Sequence, residues 1–147
     1  MPLNNKTIAH RLYNEVWNER NLGLVDELMS PSHALHHANE SGSQIGPQAY
    51  KATVTRFVNG FPDLEFTVND IIVEGNKLAV AWTMAGTHRG EFYGVPPTNR
   101  KMSAEGITIH LIEKGKILES YSSWDTWGLM RQIGAANPLR QSSVAGG

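Results

Sequence analysis

Lys116-Ile117-Leu118-Glu119-Ser120-Tyr121-Ser122-Ser123-Trp124-Asp125 is the stretch on which the reading of this chain turns. Strict alternation puts Ile117, Glu119, Tyr121, Ser123 and Asp125 on one face of a strand, and Leu118, Ser120, Ser122 and Trp124 on the other. From Thr126 the period changes. Trp127, Leu129, Met130 and Ile133, followed by Gly134, predict a short helix with a glycine stop. Asp125 therefore stands at a strand-to-helix junction between Trp124 and Trp127, and two readings are open. One is a helix cap, since aspartate suits a helix N-terminus. The other is a carboxylate in an aromatic pocket, where desolvation raises its pKa and makes it a useful base.

Upstream, Lys101 to Glu113 pairs with this strand as a hairpin across Lys114-Gly115. Leu78, Val80, Trp82, Met84 and His88 share a face of the strand before it, which a hairpin at Glu74-Gly75-Asn76-Lys77 joins to another. There Leu64, Phe66 and Val68 alternate, but the apolar phase slips at Asn69-Asp70 to Ile71 and Val73, predicting a bulge. The first third is helical. Asn4 or Asn5 caps a helix to about Arg20, Leu24 to Met29 makes a second, and Pro47 opens a third that ends at Gly60. His33 to Ala38 reads as a short strand, followed by a loop from Asn39 to Gly46. Helices followed by long antiparallel strands give an α+β class, with helices on one face of a bent sheet and a hollow between them.

A chain of 147 residues with 40% hydrophobic and 18% charged residues suits one globular domain, expected over 1–136, with a small polar tail over 137–147 that frays. A net charge of −1 offers no footprint for nucleic acid or for a membrane surface. There is no cysteine, so disulfides and thiolate nucleophiles are excluded. No apolar run approaches the ~20 residues of a membrane span. The N-terminus lacks the pattern of a secretory signal, which leads to the expectation of a cytoplasmic protein.

Six histidines invite roles. His10, beside Arg11, reads as surface. His33 and His37 would share a face only in a helix, which Ser30-Pro31 opposes, and no acid nearby completes a set, so no metal site is assigned. Either His36 or His37 lines a pocket, His36 being carried as the candidate. His88 follows the apolar face of its strand, and His110 alternates with Thr108 against Ile107 and Ile109. Trp17, Trp82, Tyr121 and Trp124 are the aromatic candidates for the same wall. There is no GxSxG elbow and no phosphate-binding glycine loop. The inventory fits proton transfer beside a carbonyl, and equally the passive binding of a flat apolar ligand.

Phe61-Pro62-Asp63, Gly86-Thr87-His88, Pro96-Pro97-Thr98, Gly115-Lys116-Ile117, Trp124-Asp125 and Gln132-Ile133-Gly134 together resemble the SnoaL-like polyketide cyclases, or ester cyclases, of the NTF2-like (cystatin-like cone) superfamily. Val16-Trp17-Asn18 and His36-His37 fit in order, and the resemblance spans Ile8 to Gly134. One departure is Asn99, where the loop Pro96 to Lys101 would be expected to carry glycine. The resemblance implies a bent antiparallel sheet around three N-terminal helices, enclosing a hydrophobic cavity. It also implies cofactor-free, metal-free general acid/base chemistry, an intramolecular aldol-type closure of a ketone- or ester-bearing small molecule. It matches Asp125 to the acid/base aspartate, with capping as a second duty, and makes His110 its polar partner, with His88 and His36 following. It further implies a homo-oligomer formed through the outer face of the sheet. A non-catalytic small-molecule-binding module, or an isomerase or hydrolase on the same frame, remains the alternative.

Overall fold

The structure, a computed structural model, describes residues 4–37 and 42–134. The expected tail over 137–147, and residues 39–41 of the expected loop, lie outside the described residues. The chain runs as helix α1 (Asn5–Arg11), a π-helical continuation (Leu12–Asn18), α2 (Leu24–Leu28), β1 (Met29–His37), β2 (Ser43–Ile45) and α3 (Pro47–Gly60). Then come β3 (Glu65–Glu74), β4 (Lys77–Thr87), β5 (Lys101–Glu113), β6 (Lys116–Trp124) and α4 (Thr126–Gln132).

Local chemistry explains most of these boundaries. The Asn4 side chain accepts a hydrogen bond from the Thr7 N–H (2.8 Å) and so caps α1. Pro47 occupies the first turn of α3, where a missing N–H costs nothing. Widening to a π-helix happens where Tyr13, Val16 and Trp17 must all reach inward, a distortion that recurs at functional sites.

The six strands form one open sheet in the order β2-β1-β6-β5-β4-β3. The expected bulge in β3 is present, between Val68 and Asp70 against β4. The expectation of an antiparallel sheet needs one correction, because β1 pairs with β6 in parallel, through Ala34↔Glu119, Leu35↔Ser120 and His37↔Ser122. Everything from β2 to β5 is the crossover between those two strands, so no hairpin signal could announce the pairing.

The concave face carries Leu78, Val80, Trp82 and Met84 of β4 with Met102, Ala104, Thr108, His110 and Ile112 of β5, all buried. Ile8, Leu12, Val16, Val25, Val54 and Phe61, mainly from the N-terminal helices, close over it. Asn18 fastens this helical layer to the outer strand: its amide donates to the Phe66 carbonyl (2.9 Å) and its oxygen accepts from the Phe66 N–H (2.7 Å). Losing both partners leaves two backbone groups unpaired beside a buried ring. Asn18→Ala should therefore lower stability by about 1–3 kcal/mol in urea unfolding. Asn18→Asp keeps the acceptor and should cost less. An unchanged midpoint in Asn18→Ala would contradict this account.

Candidate active site

Between the helices and the concave face lies a cavity of about 800 Å³, open mouth included. Its wall is aromatic. Trp17 packs on Phe66 with centroids 4.6 Å apart, Phe66 on Trp82 at 5.1 Å, and Phe57 on Trp124 at 5.7 Å. The two β-strand tryptophans share one cross-strand row, Trp82↔Gly106↔Trp124. A Cβ at position 106 would fall 2.4 Å from the Trp82 ring and 2.6 Å from the Trp124 Cβ, so glycine is what lets both indoles stand on that row.

The next rows are polar. Thr108 pairs with Ser122 (Oγ1–Oγ 2.8 Å) and accepts from Trp82 Nε1–H at 2.9 Å. His110 Nδ1 lies 2.8 Å from the Ser120 hydroxyl, and its Nε2 lies 2.9 Å from the Tyr13 hydroxyl. Ser120 also meets His33 Nε2 at 3.0 Å. On the helical side Trp17 Nε1–H donates to the Tyr50 hydroxyl at 2.8 Å. Arg56 stands at the wall beside Tyr93, to whose hydroxyl it donates at 2.7 Å.

Burial governs the protonation states. It pushes His110 down to about 3, with His33 nearby adding to the shift. Burial also pulls His33 down to about 4; His36 lowers it further and Glu119 opposes. Both imidazoles are neutral. Burial raises Tyr13 well above its ordinary value, helped by Tyr50 and opposed by Thr108. Tyr50 is raised by burial as well, against the Trp17 hydrogen bond. Both phenols therefore keep their protons.

Of the residues singled out from the sequence, His110, Trp17, Trp82 and Trp124 line this cavity. Asp125 does not. It is exposed, and its carboxylate caps α4 by accepting from the Gly128 N–H at 2.8 Å. A Cβ on Gly128 would come within 2.0 Å of that carboxylate. Among the described residues, no aspartate or glutamate lines the cavity.

His36 turns to the outer face, 3.0 Å from Glu119 through Nε2 and stacked on Tyr121 at 4.5 Å. Tyr121 is exposed there and donates to Glu119 at 2.8 Å. The cavity receives His37 instead, edge-on to Trp124 at 5.7 Å. His88 is buried outside the cavity, against Phe61 and with Nδ1 2.9 Å from the Thr98 hydroxyl. Among the described residues no group of three or more His, Cys, Asp or Glu is arranged to hold a metal ion.

The misplacements on the last strand have a single cause. The β5–β6 register runs Ile112↔Ile117 and then Leu111↔Glu119, so Leu118 is an extra residue and the phase flips there. Ile117 faces inward, and after the bulge so do Ser120, Ser122 and Trp124. Tyr13, Tyr50, Ser120 and His33 were missed as site residues; the in-phase Thr108 and His110 were the signal that this face carries polar groups.

An open, bent sheet cupping helices over an aromatic cavity is the NTF2-like cone. A family model for the SnoaL-like polyketide cyclases matches residues 7–133, and the chain belongs to that family. Nogalonic acid methyl ester cyclase of Streptomyces nogalater is 30% identical over 112 residues, covering 75% of this chain and 83% of that protein. Aklanonic acid methyl ester cyclase DauD of Streptomyces sp. strain C5 is 33% identical over 117 residues, 78% of this chain and 70% of that one. Among solved structures, TsrD from Streptomyces laurentii superposes with a TM-score of 0.79 at 28% identity, covering 91% of this chain and 99% of its own. Membership of a family whose curated relatives are cyclases makes this chain an enzyme of cyclase type.

The two depressed histidines set a pH dependence. Unfolded, each titrates near ~6.5. Folded, they do so at about 4 and about 3. Between those values the unfolded chain binds the extra protons, so their contribution is complete above ~6.5 and is lost as pH falls toward about 3. The urea midpoint should already decline between pH 7 and pH 5, above the range of most carboxylates. A flat profile there would show that these imidazoles are not held neutral.

Proposed function

We propose that the cavity closes a ring in a flat, ketone- and ester-bearing aromatic small molecule by intramolecular aldol-type chemistry, using side chains alone. The observation that carries this reading is the combination of an aromatic slot with a row of buried hydrogen-bonding groups on one wall. Indole and phenyl faces suit a planar substrate, and the polar row suits its carbonyl oxygens. The relatives' names, both of methyl ester cyclases, support the same substrate class.

The step needs a base for a proton on carbon between two carbonyls, and a donor for the oxygen that becomes an alkoxide. We assign the first task to His37, whose lining of the cavity supports it, and the second to the Tyr13–His110 pair. His37 takes the carbon-bound proton, the enolate carbon bonds to the ketone carbon, and the proton returns to the alkoxide oxygen. Asp125, matched to the family's acid/base residue by its motif, is assigned the cap, which its bond to Gly128 supports. With an aromatic polyketone methyl ester as substrate, His37→Asn should lower kcat by about 10²–10⁴-fold. Asp125→Asn should stay within about tenfold with α4 still capped, since the asparagine oxygen can accept from the Gly128 N–H as well as the aspartate does. Abolished turnover in a folded Asp125→Asn would return the acid/base role to that carboxylate.

The same reading includes a homo-oligomer. Ile72, Ala79, Ile109 and Tyr121 form one cross-strand row on the outer face, beside Ile107. Ile72, Ile107, Ile109 and Tyr121 are all exposed, an apolar band suited to a second copy of the chain. Ile109→Glu should convert a dimer or larger assembly to monomer by sedimentation, with the cavity intact. A wild-type monomer at micromolar concentration would refute the interface. No described helix is long and apolar enough to cross a membrane, and the proposed site of action is the cytoplasm.

A further inference from the structure

Four buried groups lie in series: Tyr13 Oη to His110 Nε2 at 2.9 Å, His110 Nδ1 to Ser120 Oγ at 2.8 Å, and Ser120 Oγ to His33 Nε2 at 3.0 Å. Tyr13 lines the cavity; His33, fully buried, does not. The far nitrogen of the series, His33 Nδ1, is buried without any hydrogen-bond partner. That unpartnered atom determines how the protons are arranged.

A neutral imidazole carries one N–H and one bare nitrogen, and a serine has a single hydrogen to give. If the series runs from Tyr13 toward His33, Ser120 donates to His33 Nε2, and His33 must bury an orphan N–H at Nδ1. If both imidazoles donate to Ser120, the hydroxyl hydrogen of that fully buried serine has neither ring left to receive it. If neither donates, one bare nitrogen faces the serine oxygen with no hydrogen between them. The reverse direction avoids all three. His33 Nε2–H donates to Ser120, Ser120 to His110 Nδ1, and His110 Nε2–H to the Tyr13 oxygen. His33 Nδ1 is then a bare acceptor, and an under-satisfied acceptor is tolerated better than an orphaned N–H. The Tyr13 oxygen is occupied as an acceptor, so its own hydrogen is not committed to His110 and can be given on the cavity side, where Thr108 stands beside it.

We infer that Tyr13 is a catalytic hydrogen-bond donor to the substrate's reacting ketone oxygen, and that His33 is a positioning residue that sets its polarity through Ser120 and His110. This rests on the cyclase reading above for the identity of the ligand oxygen. As the new carbon–carbon bond forms, the carbonyl π pair moves onto oxygen, where the Tyr13 O–H meets it. The phenol keeps its proton, consistent with the raised pKa that burial imposes. His110 strengthens the donor by occupying its lone pair.

Long-range ¹H–¹⁵N correlation on histidine-labelled wild-type protein at pH 7, with no substrate present, reads the arrangement directly. His33 and His110 should both be Nε2–H tautomers; an Nδ1–H tautomer at His110 would overturn the assignment. In His33→Leu, Ser120 is released to accept, and His110 should move toward Nδ1–H with a fall in kcat. An unmoved tautomer in that folded variant would remove His33 from the scheme. Should the variant not fold, the wild-type tautomers decide. Tyr13→Phe should lower kcat about 10²–10³-fold with a smaller change in KM, and unchanged kcat would refute the catalytic role. If no ester turns over, the carbonyl ¹³C shift of a bound aryl ketone replaces kcat. It should lie downfield in wild type relative to Tyr13→Phe, and equal shifts would refute the donor.

Discussion

The parallel pairing of β1 with β6 is the contact from which the cavity follows. It places Leu35 beside Ser120 and His37 beside Ser122, and carries His33 to within 3.0 Å of the Ser120 hydroxyl. Without it the concave face would end at β6, and the helical layer would cover an open trough. The pairing is irregular, with a register shift between Met29 and Ala34, and this irregularity bends the strand around the edge of α3. Strand β2 then adds to the outside through Ala34↔Ile45 and His36↔Ser43. One non-local ladder thus supplies both a wall of the pocket and the partners of its deepest polar groups.

The short motifs that mark the family act mostly as joints. Asp63 accepts from the Thr87 N–H at 2.6 Å and from its hydroxyl at 2.8 Å, so Phe61-Pro62-Asp63 and Gly86-Thr87-His88 are two halves of one fastening. A Cβ on Gly86 would press on the Phe61 Cβ at 3.1 Å, which explains the glycine. His88 holds the loop through its carbonyl to the Asn99 N–H (2.8 Å) and through its ring to Thr98. Asn99 stands where glycine would be expected and adopts φ +59°, a conformation asparagine tolerates better than most residues. Gln132 clasps the backbone of Ser103 at both N–H (2.8 Å) and C=O (2.9 Å), and Asp125 caps the helix that carries it. These residues hold the frame in one shape.

The buried polar groups on and behind the strand wall of the cavity are neutral by construction, Arg56 standing apart at the wall beside Tyr93. Two imidazoles held below their ordinary pKa, and two phenols held above theirs, present directional hydrogen bonds without charge in an aromatic setting. Each such group is costly to bury and is retained only when its partners are in place. A core built for stability alone would fill these positions with apolar side chains of similar size. Preoriented neutral donors are what an enolate or alkoxide requires, because they need no reorganisation as charge appears on oxygen.

Element types and the α+β class were legible because they rest on short-range periodicity. The Asn4 cap, Pro47, the hairpin at Glu74–Lys77 and the phase slip at Asn69-Asp70 are all local signals, and the structure carries each one. The family was legible because its joints occupy fixed short motifs. Which face of β6 looks inward was decided by Leu118, an extra residue whose effect exists only against the register of β5. It moved Tyr121 outward and Ser120 inward, and left Asp125 capping a helix. Likewise, whether His36 or His37 enters the pocket depended on a strand that begins pairing about 85 residues away in sequence. Local physics in the chain determined that there would be strands, helices and a hollow. Only the packed sheet decided which side chains share that hollow, since bulges and non-adjacent ladders are properties of two segments together and of neither alone.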